Sequence, residues 1–97
     1  MDAMTFASRV QEIRTQLYRT AYGYLGNEQD SLDAVGEAVY QGYRARKGLR
    51  RPEYFTTWMT RILIHICYKE IKQRTKQGLE EFSEIRVILT IFLYRRR

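Results

Sequence analysis

Apolar residues return at three- and four-residue steps along most of this chain, a rhythm that suits helices and does not suit strands. Val10, Ile13, Leu17, Ala21 and Leu25 make a first row, Leu32, Val35, Val39 and Tyr43 a second, and Phe55, Trp58, Ile62, Ile66 and Ile71 a third. The residues between the rows supply the stops and starts. Ser8 and Gln11 have the spacing of a capping box, which predicts a helix over about residues 8–25 that ends at Gly26. Asn27 can cap the next helix, with Glu28 and Asp30 in its first turn where the helix dipole favours acids, and a stop near Gly48. Pro52, the single proline, suits the first position of a third helix, because the N–H it lacks is not needed there; nothing then interrupts the pattern until Gly78. Beyond Gly78 come an acidic stretch, Glu80 to Glu84, an almost continuously apolar run, Ile85 to Tyr94, and three arginines. Periodicity does not choose between helix and strand in that tail. The expectation is an all-α fold, a compact bundle of three to four helices over residues 1–77 with a short C-terminal tail over residues 78–97.

A chain of 97 residues has room for one hydrophobic core and not for two. Its net charge of +6 points to a polyanionic partner, and the charge is unevenly spread. Residues 1–40 hold six acids and three bases, a net −3, whereas residues 41–97 hold five acids and fourteen bases, a net +9. Cys67 is the only cysteine, which excludes an internal disulfide and a multi-cysteine metal site and fits a reducing compartment. The N-terminus lacks the basic and apolar segments of a secretory signal, and the longest apolar run is far short of the roughly 20 residues needed to span a bilayer as a helix. A cytoplasmic protein with no membrane partner is expected.

Enzyme chemistry finds little support. There is no glycine-rich phosphate loop, no metalloprotease motif and no nucleophile elbow, and His65 and Cys67 stand two apart on a helix, where their side chains diverge. No catalytic residue, metal or cofactor is expected, and Cys67 reads as a small buried hydrophobe. The third helix carries more information. Thr57, Arg61, His65, Lys69 and Gln73 follow one another at four-residue steps, and Lys72 and Lys76 lie on the adjacent row, opposite the apolar seam. Just before this helix, Arg44, Arg46, Lys47, Arg50 and Arg51 concentrate five positive charges in eight residues, and Tyr54, Phe55 and Trp58 follow. Basic groups interleaved with stacking surfaces suit unpaired nucleic acid; an ordinary solvated helix face is the alternative. On the second helix Asp33, Gly36, Glu37 and Tyr40 share an acidic, partly aromatic face that would repel DNA and suit a basic protein surface, with an idle solvent face as the alternative.

The runs Leu17 to Tyr22, Asn27, Asp33 to Tyr40 and Tyr54 to Cys67 together resemble region 2 of extracytoplasmic-function sigma factors, over about residues 12–76. The most specific part is Phe55-x-Thr57-Trp58-x-x-Arg61-Ile62, one loop after a helix bearing Asp33-x-x-x-Glu37. The resemblance implies a non-enzymatic module of transcription initiation that binds the β′ clamp helices of core RNA polymerase and captures the non-template strand of the promoter −10 element. It implies that Asp33, Gly36, Glu37 and Tyr40 face the polymerase. It also implies that the Leu49 to Tyr54 loop, with Arg50, Arg51 and Tyr54, receives an extruded base, and that Thr57, Trp58, Arg61, His65, Lys69 and Lys72 lie along the DNA. An anti-sigma factor and a separately encoded region 4 protein are further partners the resemblance admits. The sequence departs from the family at Gly36, where glutamine is usual, at His65, where asparagine is usual, and at Lys69, where aspartate is frequent. The region 4 helix-turn-helix of complete members is missing, so the chain is either a fragment or a stand-alone region 2. Two other functions stay open from the residues: a helical interaction module that acts as a decoy for the polymerase clamp or an anti-sigma protein without touching DNA, and a helix-turn-helix repressor.

Overall fold

The computed structural model describes the backbone of residues 1–95 and the side chains of residues 1–76. Three helices account for most of it: α1, Ala3–Leu25, α2, Glu28–Ala45, and α3, Phe55–Arg95. Two single 3₁₀ turns, Arg46–Gly48 and Pro52–Tyr54, shape the connection between α2 and α3. No strand occurs among the described residues, and the all-α expectation holds.

The capping chemistry between α1 and α2 is as the sequence predicts. Gly26 adopts a left-handed conformation with φ of 81° and donates its N–H to the Tyr22 carbonyl, closing α1. Asn27 then accepts the Asp30 N–H at 2.8 Å and opens α2. The start of α1 differs from the expectation. Asp2, not Ser8, is the cap: its Oδ1 accepts the Thr5 N–H at 2.7 Å, and that hydrogen bond lowers the Asp2 pKa. The five residues gained put Phe6 into the core, 5.7 Å from both Tyr43 and Phe55 in edge-to-face contacts. At the other end Gly78 does not terminate α3, whose backbone continues to Arg95. One glycine costs a helix only about 1 kcal/mol relative to alanine, too little to stop it unaided. The side chains of the tail beyond residue 76 lie outside the described residues.

The core differs from the expected seams by one position on two helices. On α1 the row Ile13, Leu17, Ala21 and Leu25 is buried as expected, with Val10 partly covered. On α2 the buried row is Ser31, Ala34, Ala38 and Gly42, whereas Leu32 is 53% exposed and Tyr43 41% exposed, and Val35 and Val39 only flank the core. Small residues win because α2 lies close to its neighbours: a Cβ on Gly42 would sit 2.5 Å from the Met59 Sδ. Ser31 is buried without penalty because its hydroxyl donates to the Asn27 carbonyl at 2.6 Å. On α3 the fully buried row is Phe55, Met59, Leu63 and Cys67, ending at Ile71, while Trp58, Ile62 and Ile66 are half-buried at its edge. One residue is a rotation of about 100° around a helix, so the two rows border each other. Burial also pushes the Cys67 thiol up to about 11, which leaves it protonated and inert at neutral pH.

Candidate nucleic-acid and protein interfaces

The basic loop owes its shape to hydrogen bonds at both ends. The Leu49 N–H donates to the Arg46 carbonyl at 3.3 Å and the Tyr54 N–H to the Arg51 carbonyl at 3.0 Å. Leu49 turns inward against the core, whereas Arg50, Arg51 and Tyr54 stand in solvent. Upstream, Arg46 lies 4.0 Å above the Tyr43 ring and donates to the Tyr43 carbonyl at 2.8 Å, which holds it against its own helix end.

Along α3 the loop's positive charge continues. Thr57, Arg61, His65, Lys69 and Lys72 are all exposed, because the apolar row at 55, 59, 63 and 67 turns the opposite side of the helix to the core. Trp58 divides its surface: it packs against Phe55 at 6.1 Å between ring centres and leaves the rest accessible. Further along, Lys69, Lys72, Gln73 and Lys76 line a shallow concavity of about 440 Å³, so three lysines border one positively charged depression. His65 faces solvent while Cys67 is fully buried, so the two share no site.

The acidic surface is wider than the sequence suggests. Asp33, Gly36, Glu37 and Tyr40 are exposed on α2, with Glu37 accepting from Gln41 at 2.9 Å and Tyr40 lying under Arg44 at 5.6 Å. Asp33 and Glu37 also line a cleft of about 290 Å³ between α2 and α3, joined there by Asp30 and Glu70 over a floor that includes Ala34 and Ile66. Glu70 was invisible to a reading of α2 alone. The cationic and acidic surfaces therefore adjoin on α3, where Ile66 and Glu70 face the cleft and His65 and Lys69 stand one position away in sequence.

Arg74 secures this arrangement. Its Nη1 donates to the Leu25 carbonyl at 2.9 Å, its Nη2 pairs with Asp30, and its Nε lies 3.6 Å from Glu70. Asp30 in turn accepts from the Asn27 side-chain amide at 3.0 Å, and these hydrogen bonds from Asn27 and Arg74 hold its carboxyl below the usual pKa. Glu70 lies one helical turn away, but the partners that tie α3 to the turn between α1 and α2, Asp30 and Leu25, lie 44 and 49 positions away, where no local pattern marks them.

A model of sigma-70 region 2 matches residues 9–77, more than two-thirds of the chain. The chain belongs to that family. This agrees with the resemblance drawn from the Asp33–Glu37 helix and the Phe55 to Ile62 motif. RNA polymerase sigma factor SigV of Bacillus subtilis strain 168 is 25% identical over 67 residues. That alignment covers 69% of this chain and 40% of SigV, so the region 2 chain spans well under half the length of this relative. No solved structure matches it. Within this region 2 domain the departure at Gly36 is an exposed position with nothing within 4 Å of where a Cβ would stand. Among the described residues no helix is long and apolar enough to cross a membrane.

Proposed function

We propose that this sigma-70 region 2 domain is a promoter-recognition module of transcription initiation. Asp33, Gly36, Glu37 and Tyr40 dock on the clamp helices of core RNA polymerase. Arg50, Arg51 and Tyr54 receive an extruded base of the −10 element, and Thr57, Trp58, Arg61, His65, Lys69 and Lys72 follow the non-template strand. The observation that carries this reading is the continuity of the Arg50–Arg51–Tyr54 loop with the exposed Thr57–Arg61–His65–Lys69 row, in a chain of this family. Cations that track a backbone next to an accessible aromatic ring are the equipment of single-strand binding. The carboxylates of α2 would repel the same strand and favour a basic protein surface.

Fluorescence anisotropy with a −10 non-template oligonucleotide, on the chain alone and with core polymerase, tests it. Binding is expected to exceed that of the intact duplex, since a duplex must first be unpaired at a cost of a few kcal/mol, and to weaken with salt by about 0.7 log units per phosphate contact for each log unit of salt. A flat salt response would remove the DNA role and leave a protein-interaction bundle. A preference for duplex would favour a repressor. Changing Asp33 and Glu37 together to lysine is expected to abolish association with core polymerase and to leave oligonucleotide binding intact or slightly tighter. Equal loss of both activities would sink the division into two faces.

A further inference from the structure

The loop that bears Arg50, Arg51 and Tyr54 is tied to the bundle by a residue far away in sequence. Arg9, on α1, donates from Nη2 to the Pro52 carbonyl at 3.2 Å, across 43 positions. The same carbonyl accepts the Phe55 N–H, so Arg9 grips the oxygen on which the chain turns into α3. Its guanidinium carbon lies 4.9 Å from the centre of the Phe55 ring, and its Nε is 3.8 Å from Glu12. Phe55 is fully buried between Phe6, at 5.7 Å, and Trp58, at 6.1 Å. The loop's other hydrogen bonds, from Leu49 to Arg46 and from Tyr54 to Arg51, are local and do not relate it to α1.

We propose that Arg9 is a positioning residue for base capture: by holding the Pro52 carbonyl and the Phe55 ring together, it sets the direction in which Tyr54 and the two loop arginines are presented. The proposal rests on the base-capture role given to this loop above. A guanidinium suits the task because one rigid plane can donate to a carbonyl, lie against a ring and meet a carboxylate at once; an ammonium on a flexible stem cannot do all three. The guanidinium of Arg9 is engaged with the Pro52 carbonyl, the Phe55 ring and the exposed Glu12 carboxylate. Arg50 and Arg51, both exposed, are left to meet phosphate.

The test compares the full chain with Arg9→Ala and Arg9→Lys in three measurements. The first is independent of DNA: hydrogen exchange at the Tyr54 amide is expected to accelerate in both variants, with amides of the α1–α3 core unchanged. The second uses −10 oligonucleotides with each base replaced in turn. Discrimination at the captured base is expected to fall roughly threefold to tenfold in both variants, the worth of about one hydrogen bond. The third is the salt slope, expected to stay at the parent value in both variants because Arg9 touches no phosphate.

A slope reduced by about 0.7 in Arg9→Ala and restored in Arg9→Lys would overturn positioning and make Arg9 a direct phosphate contact. Unchanged Tyr54 exchange together with parental discrimination would also overturn it. A parent chain that shows no base discrimination at all would defeat the capture reading of the loop, and Tyr54 exchange would still judge whether Arg9 holds it.

Discussion

Helices α2 and α3 each pack against α1 and against one another, with opposite materials. α2 buries Ser31, Ala34, Ala38 and Gly42 and leaves Leu32, Tyr40 and Tyr43 in solvent, whereas α3 buries Phe55, Met59, Leu63, Cys67 and Ile71 and shows water its polar and basic residues. The contrast teaches that the face of a helix turned to the core is chosen by fit as well as by hydrophobicity. Where two backbones approach closely, small residues fill the contact, and large apolar ones are displaced to the outside. On α2 that displacement leaves aromatic and aliphatic surface beside Asp33 and Glu37, which is the face proposed above to dock on polymerase. On α3, among the described residues, Phe55, Met59, Leu63, Cys67 and Ile71 are taken up by the core, and the exposed row Thr57, Arg61, His65, Lys69 and Lys72 is hydrogen-bonding and cationic.

The largest effect expected from this difference is a mismatch between two leucines. Leu63→Ala should destabilise the fold by about 2–5 kcal/mol, since it opens a cavity among fully buried neighbours, whereas Leu32→Ala should change stability by less than about 0.5 kcal/mol. Urea unfolding of both variants checks this; comparable losses would mean that Leu32 belongs to the core after all. Two glycines of α2 sharpen the contrast. Gly42→Ala is expected to lose about 1 kcal/mol net, because overpacking against Met59 outweighs the gain in helix propensity. Gly36→Ala, with open space around it, should gain about 0.5–1 kcal/mol. A gain at both positions would show that Met59 swings aside and that α2 and α3 are less tightly apposed.

Much of this organisation was legible in sequence. Gly26, Asn27 and the four-residue steps of α1 specify their helices through partners within a turn, and the cationic row of α3 follows from helical geometry alone. The register of α2 was not, because Leu32, Val35 and Val39 are the more apolar choice, whereas the row that is buried includes Gly42, close against Met59 and Phe6.

The smallest expected effect concerns the clasp at the far end of the bundle. The carboxyl of Asp30 titrates below its usual pKa when folded, so its contribution to stability is complete above about pH 4 and is lost as the pH falls through the lowered value. Arg74→Ala should therefore unfold at a lower temperature than the parent at neutral pH, with the gap narrowing below about pH 4. A gap that stays constant down to pH 2 would show that the hydrogen bond from Arg74 to the Leu25 carbonyl, and not the charge on Asp30, is what holds α3 to the turn between α1 and α2.

Taken by itself, the sequence determined the helices, their caps between α1 and α2, the separation of acidic from basic character along the chain, and the family motif. The helices and caps depend on residues within a few positions of each other, where backbone geometry dictates who meets whom, and the charge split and the motif are properties of residue order alone. Tertiary structure alone decided which neighbouring row of α2 and α3 is buried, that Glu70 joins Asp33 and Glu37 around one cleft, and that Arg9 and Arg74 reach Pro52, Leu25 and Asp30. Those contacts join residues more than 30 positions apart, and the apolar pattern of each helix is compatible with several rotations about its axis. The rotation adopted is the one in which Gly42 admits Met59 and both arginines find their acceptors.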